Sequence, residues 1–304
     1  MENVYEDIRQ MIGNTPILKI SHMGIKPGVN IYAKLELMNP AGSVKDRVGV
    51  YMIDDAVRKG ILKPGGTIVD ATAGNTGIGI AIAALNQGFR VIFTVPEKFS
   101  IEKQKVMKAL GAELIHTPRE DGMLGAENLA EEILKTIPGA VSLRQFRNPA
   151  NPLAHYETTG PEIYRQMDGK IDYFVAGAGS GGTFSGVVKY LKEQNPGITG
   201  VLADPYGSTI GGGEHHDYNI EGIGNDFIAD TMDITLVDKV IKISDDDAFT
   251  ASRELAKREG ILAGSSSGAA LAAAIKLSDE IDEGNIVTVF PDRGDRYLSK
   301  GLYD

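Results

Sequence analysis

The sequence predicts an α/β protein with mostly parallel sheets flanked by helices, divided into two domains. Short β-branched or apolar runs alternate with longer amphipathic or Ala-rich ones along nearly all of the 304 residues. That alternation is the pattern of parallel strands joined by right-handed helical crossovers. Two glycine-rich loops, Thr72–Thr76 and Gly179–Thr183, each follow an apolar run and open a helix-like segment. Ligands in such folds bind beyond the carboxyl ends of the strands, where both loops fall.

Residues 67–69, 90–95, 113–115, 140–143, 173–176, 199–203, 239–243 and 286–290 are rich in Val, Ile and aromatics and read as strands. Helices are expected over 77–87, 100–110, 123–135, 156–167, 183–194, 245–259 and 267–277, several opened by Ser or Thr or closed by Gly. Ser244 followed by Asp245, Asp246 and Asp247 is the cap and acidic first turn of one of them. Asn148–Pro152, with two prolines, is the best internal boundary, and Gly207–Tyr218 reads as a mobile loop. No internal repeat or low-complexity tract is apparent.

Composition narrows the function. A formal net charge of -10 with no basic stripe argues against a nucleic-acid partner. The apolar runs are too short for a membrane span, and Met1–Gln10 has no apolar core of a secretory signal, so a cytoplasmic location is expected. The absence of cysteine removes disulfides, thiolate metal sites and a cysteine nucleophile. Adjacent His215 and His216 rarely face one ion, and no metal site is expected.

The chemistry centres on Lys45, inside Asn39–Arg47 (Asn-Pro-Ala-Gly-Ser-Val-Lys-Asp-Arg). A lysine alone is a solvated charge. Its interest comes from the two loops, which with it suggest a lysine-bound cofactor, a carboxylate site and a phosphate site. In Gly179–Thr183 (Gly-Ser-Gly-Gly-Thr), consecutive backbone N–H groups can converge on an anion at a helix N-terminus, although a tight strand-to-helix turn has the same composition. In Thr72–Thr76 (Thr-Ala-Gly-Asn-Thr), hydroxyl and N–H donors suit a carboxylate, and an Asn-Thr helix cap is the alternative. Ser265–Ser267 is a third hydroxyl-rich junction, by itself a helix cap.

With these segments in view, the chain resembles the pyridoxal-phosphate enzymes of fold type II, in the cysteine synthase and cystathionine β-synthase branch. The resemblance runs almost end to end, through Ile12–Pro16, Lys34–Glu36, Asn39–Arg47, Thr72–Gly77, Gln145–Phe146, Asn148–Glu162, Gly179–Thr183, Glu221–Gly224 and Gly264–Ala270. It implies a tryptophan synthase β-like fold, with a smaller mobile domain over 46–151 closing on substrate and a larger cofactor-binding domain from 1–45 and 152–304.

The cofactor implied is pyridoxal 5'-phosphate. By the resemblance Lys45 holds it as an internal Schiff base and then takes the substrate α-proton as general base. Gly179, Ser180, Gly181, Gly182 and Thr183 bind its phosphate, Asn75 its ring oxygen, and Ser266 its pyridine nitrogen. Thr72, Ala73, Gly74, Asn75, Thr76 and Gln145 grip the substrate carboxylate. A neutral hydroxyl at the ring nitrogen, where an Asp would make a deep electron sink, favours loss of a β-substituent through an aminoacrylate over transamination or racemisation.

The expected reaction is β-replacement on L-serine, O-acetyl-L-serine or L-cysteine with sulfide or a thiol such as homocysteine, giving cysteine or cystathionine; run from cysteine it releases hydrogen sulfide. Ala73 stands where cysteine synthases usually carry Ser, and Glu221–Asp226 looks more like cystathionine β-synthase. Asp226 is therefore a candidate acid or base near the β-carbon, with a helix or loop cap as the alternative. By the resemblance a bare catalytic core is expected. Relatives are commonly homodimers, and some dock serine acetyltransferase. The competing readings are a serine or threonine dehydratase, a catalytically idle regulatory relative, and a flavodoxin-like or dinucleotide-binding module, the last leaving the lysine unexplained.

Overall fold

The computed structural model describes residues 4–97 and 100–304. Two compact units emerge: one formed by the chain up to Ile12 with Lys45–Ala150, the other by Gly13–Val44 with Asn151–Asp304. The segment before Ile12, expected with the larger domain, groups instead with the smaller unit, where Arg9 forms an ion pair with Asp54 at 2.5 Å.

The larger unit holds a six-stranded sheet. Its strands are β1 (Ile17–Ile20), β2 (Val29–Leu35), β6 (Tyr173–Gly177), β7 (Thr199–Pro205), β8 (Lys239–Ile243) and β9 (Gly284–Phe290), in the order β1-β2-β9-β6-β7-β8. Only the β1–β2 pair is antiparallel. The strands are apolar on both faces, as a sheet covered by helices on both sides requires. Val175, Val201, Ala203 and Ile286 point into one core with Leu255, Leu271 and Leu277, whereas Phe174, Leu202 and Val287 point into another with Phe184, Val187 and Leu191. Helices α7 (Gly182–Gln194), α8 (Asp245–Glu259) and α9 (Ser265–Glu280) supply those partners. From β6 the chain proceeds through β7 to β8 on one side, while β9 lies on the other side of β6. This reversal places the loop after β6, which contains Gly179–Thr183, at the switch point where such sheets bind ligands.

The smaller unit has a parallel sheet of β3 (Thr67–Ala71), β4 (Arg90–Pro96) and β5 (Glu113–Thr117). Four helices accompany it: α1 (Lys45–Arg58), α2 (Asn75–Ala84), α3 (Ile101–Ala109) and α4 (Gly122–Thr136). Nearly every residue of α2 is buried, consistent with its all-round Ile, Gly and Ala composition.

Among the described residues β1, β2, α1 and the short α5 (Ala150–Ala154) escape the sequence reading. The strand expected over 140–143 reduces to one bridge, Val141 against Ile68. The helix expected over 156–167 is interrupted. Its span holds a π-helical turn at His155–Thr159 followed by α6 (Gly160–Gln166), and the unexpected α5 runs into it from the stretch read as a boundary. Helix α8 begins with the anticipated cap, Ser244 and Asp247 bonding reciprocally. Among the described residues no helix is long and apolar enough to cross a membrane.

Candidate active site

In the smaller unit Lys45 is the first residue of α1, half-buried at the end of the Asn39–Val44 segment. Two glycines fix its backbone. A Cβ on Gly79 would stand 2.2 Å from the carbonyl oxygen of Lys45, and one on Gly49 would stand 2.1 Å from that of Gly79. Helices α1 and α2 thus touch backbone to backbone, a contact no larger residue permits.

The Thr72–Thr76 loop joins β3 to α2. Its alternative as an Asn-Thr cap is not realised, because Gly74 occupies the capping position without a side-chain bond and Asn75 and Thr76 are already helical. Thr72 Oγ1 instead accepts the Gly77 N–H at 3.1 Å, and Thr76 Oγ1 donates to Gln145 Oε1 at 2.6 Å. The structure therefore brings together two of the segments assigned to one carboxylate, 69 positions apart in sequence.

Asp70, which sequence reasoning passed over, ties the same segments from below. Its carboxylate accepts from Ser142 Oγ at 2.6 Å, Leu143 N at 3.0 Å and Arg144 N at 3.4 Å. Arg144 holds a left-handed φ of 48° just before Gln145. Burial pushes the Asp70 carboxyl up to about 6, against the lowering effect of those three donors. An acidic residue inside an otherwise apolar strand was the available signal.

In the larger unit the Gly179–Thr183 loop is braced from behind. Asn151 Nδ2 donates to Ser180 Oγ at 3.0 Å, Asn225 Nδ2 to the Gly179 carbonyl at 2.8 Å, and Thr231 Oγ1 to the Ser180 carbonyl at 2.5 Å. Gly181 is left-handed, with φ of 79°. Cβ atoms on Gly179, Gly181 and Gly182 would lie 2.6, 2.4 and 2.1 Å from Gly222 O, Met232 and Asn151 Oδ1. The turn therefore needs glycine, while the first N–H groups of α7, at Gly182, Thr183 and Phe184, find no acceptor among the described residues. Unpaired N–H groups on a rigid glycine frame suit a phosphate.

Ser266 is buried in the first turn of α9, whose capping position is Gly264 without a side-chain bond. Ser265 Oγ accepts the Glu221 N–H at 3.0 Å, and a Cβ on Gly222 would lie 3.9 Å from Ser266 Oγ. The three serines are thus not the helix cap. Asp226 is exposed, in the loop beyond Gly224. His215 Nδ1 lies 3.1 Å from the Gly207 carbonyl and His216 Nδ1 lies 3.2 Å from that of Asp217. Among the described residues no three metal-binding side chains converge.

Residues 8–292 match the family described as pyridoxal-phosphate dependent enzyme, and the chain belongs to that family. It is 51% identical over 302 residues to an O-acetylserine-dependent cystathionine β-synthase of Bacillus subtilis, covering 99% of this chain and 98% of the relative. It is 46% identical over 299 residues to a cysteine synthase of Helicobacter pylori, covering 97% and 98% of the two chains. A crystal structure of an O-acetylserine-dependent cystathionine β-synthase from Helicobacter pylori superposes with a TM-score of 0.94 at 45% identity, over 99% of each chain.

Proposed function

We propose that this protein catalyses β-replacement on O-acetylserine, serine or cysteine, with sulfide or homocysteine as the incoming nucleophile and cysteine or cystathionine as product. End-to-end similarity to an O-acetylserine-dependent cystathionine β-synthase carries this reading. Run from cysteine, the same chemistry releases hydrogen sulfide.

The bound cofactor supplies delocalisation of the electron pair left at Cα when the α-proton departs. Lys45 would hold the cofactor through its Nζ, and the same Nζ would take the α-proton of the bound substrate. Backbone N–H groups and hydroxyls of Thr72, Ala73, Gly74, Asn75 and Thr76, with Gln145, hold the substrate carboxylate and so orient the Cα–H bond. Asn75 also bonds the ring oxygen of the cofactor. The Gly179–Thr183 loop holds its phosphate, and the Ser266 hydroxyl meets the ring nitrogen without a charge. Asp226 receives the thiol proton near the β-carbon; its exposure supports a role in contact with an incoming solute. The protein works in the cytoplasm as a homodimer, and serine acetyltransferase is a candidate partner.

The test is product analysis of the purified protein given O-acetylserine, serine and cysteine in turn, with and without homocysteine or sulfide. Thiol-dependent cystathionine or cysteine is expected, with turnover of Asp226→Asn reduced about tenfold or more at unchanged cofactor content. Keto acid and ammonia formed without need of a thiol would replace β-replacement with a dehydratase, and full activity of Asp226→Asn would remove that residue from the mechanism.

A further inference from the structure

His155 is fully buried, opens the π-helical turn His155–Thr159, and spends both ring nitrogens on threonines. Nδ1 lies 2.9 Å from Thr159 Oγ1, and Nε2 lies 3.2 Å from Thr183 Oγ1. Thr183 is the last residue of the glycine loop and stands in the first turn of α7. Helix α7 passes close to it: a Cβ on Gly186, one turn further along, would lie 2.8 Å from the His155 Cβ. π-helical turns inside helices frequently mark functional positions, and this one widens the helix where the imidazole reaches the loop.

We propose that His155 is a positioning residue for the cofactor phosphate, acting through Thr183. The proposal rests on the reading of Gly179–Thr183 as the phosphate loop. A hydroxyl has one proton and two lone pairs, so what Thr183 offers an anion depends on what its neighbour takes. With the proton on Nε2, His155 donates to Thr183 Oγ1, Thr159 donates to Nδ1, and the Thr183 proton is left to point at a phosphate oxygen. With the proton on Nδ1, Nε2 accepts the Thr183 proton and the hydroxyl turns a lone pair toward the anion. A bound phosphate therefore selects the Nε2–H tautomer, and the tautomer in turn fixes the hydroxyl.

Phosphorus NMR of the holoenzyme reads the phosphate environment directly, and the cofactor dissociation rate reads its grip. Thr183→Val is expected to shift the phosphorus resonance and speed cofactor loss about tenfold. His155→Leu is expected to reproduce both changes, His155→Gln, which keeps a donor, to reverse most of them, and the Leu/Val double variant to be no worse than Thr183→Val alone. In the unsubstituted holoenzyme, nitrogen-15 NMR is expected to find the proton of His155 on Nε2, a readout independent of how any variant folds. An Nδ1–H tautomer, a His155→Leu resonance identical to the parent, or additive losses in the double variant would overturn the role of His155 while leaving the phosphate loop intact. If Thr183→Val changes neither resonance nor retention, both the loop reading and the relay fail.

Discussion

Asp70 carries a cost that its position makes useful. Its ionised carboxylate accepts two N–H groups and one hydroxyl, and so holds the backbone turn that delivers Gln145 to Thr76. Burial outweighs those bonds, and the carboxyl titrates near 6, above the ordinary value of 3.8. The sign follows from linkage: the folded chain holds this proton more tightly than the unfolded chain, so the stabilisation is complete below about 4 and is lost as pH rises through 6. A shift of that size corresponds to about 3 kcal/mol. Asp70→Asn cannot titrate. Its unfolding free energy relative to the parent should therefore rise by about 2 kcal/mol between pH 4 and 7 in denaturant titrations, while substrate binding weakens as the Ser142–Arg144 turn loosens. A pH-independent difference between the two proteins would show that Asp70 does not ionise in this range.

At the scale of elements, the crossing of α1 and α2 decides where Lys45 stands. Gly79→Ala places a methyl 2.2 Å from the Lys45 carbonyl, and the helices must part. The expected penalty is about 2–3 kcal/mol, together with loss of bound cofactor. Gly88→Ala provides the contrast. Unlike helical Gly79 it has a left-handed φ, of 75°, but its Cβ meets nothing within 4 Å, so it should cost about 1 kcal/mol of backbone strain and leave the cofactor in place. Thermal unfolding and visible absorption compare the pair, and equal cofactor content in both would contradict the crossing's role.

The same helix shows where local patterns stop informing. Its buried Val48, Met52, Ile53 and Ala56 repeat at helical spacing, but its charged opening Lys45-Asp46-Arg47 reads as loop. Asp46 and Arg47 are in fact buried. Strand β2 was hidden in the same way by Lys34. That ammonium is fully buried and bonds Thr15 O at 2.6 Å, Glu162 at 2.7 Å and Gln166 at 2.9 Å, partners up to 132 positions away. Long-range pairing licenses such charges, and no window of sequence displays it. By contrast, α8 was legible to its ends because a capping box and a left-handed Gly260 are local signals.

For the whole molecule, strand and helix alternation sufficed for the α/β class, and the two glycine loops do join a strand to a helix as their pattern suggested. The supports behind them were not legible: Asp70 beneath the carboxylate segments and His155 beside Thr183 are single polar residues whose partners are set by the fold. The choice among β-substituents also lies outside the pattern, since an alanine at position 73 and an exposed aspartate at 226 leave the strand and helix alternation unaltered.

The central claim is that Lys45 carries the cofactor. Borohydride reduction of the purified holoenzyme fixes the bond between cofactor and lysine, and peptide mass mapping then locates it. The label is expected on Lys45 alone, protected from reduction of that bond when O-acetylserine is added first. A label on another lysine, or a holoenzyme that yields no labelled peptide, would contradict the account.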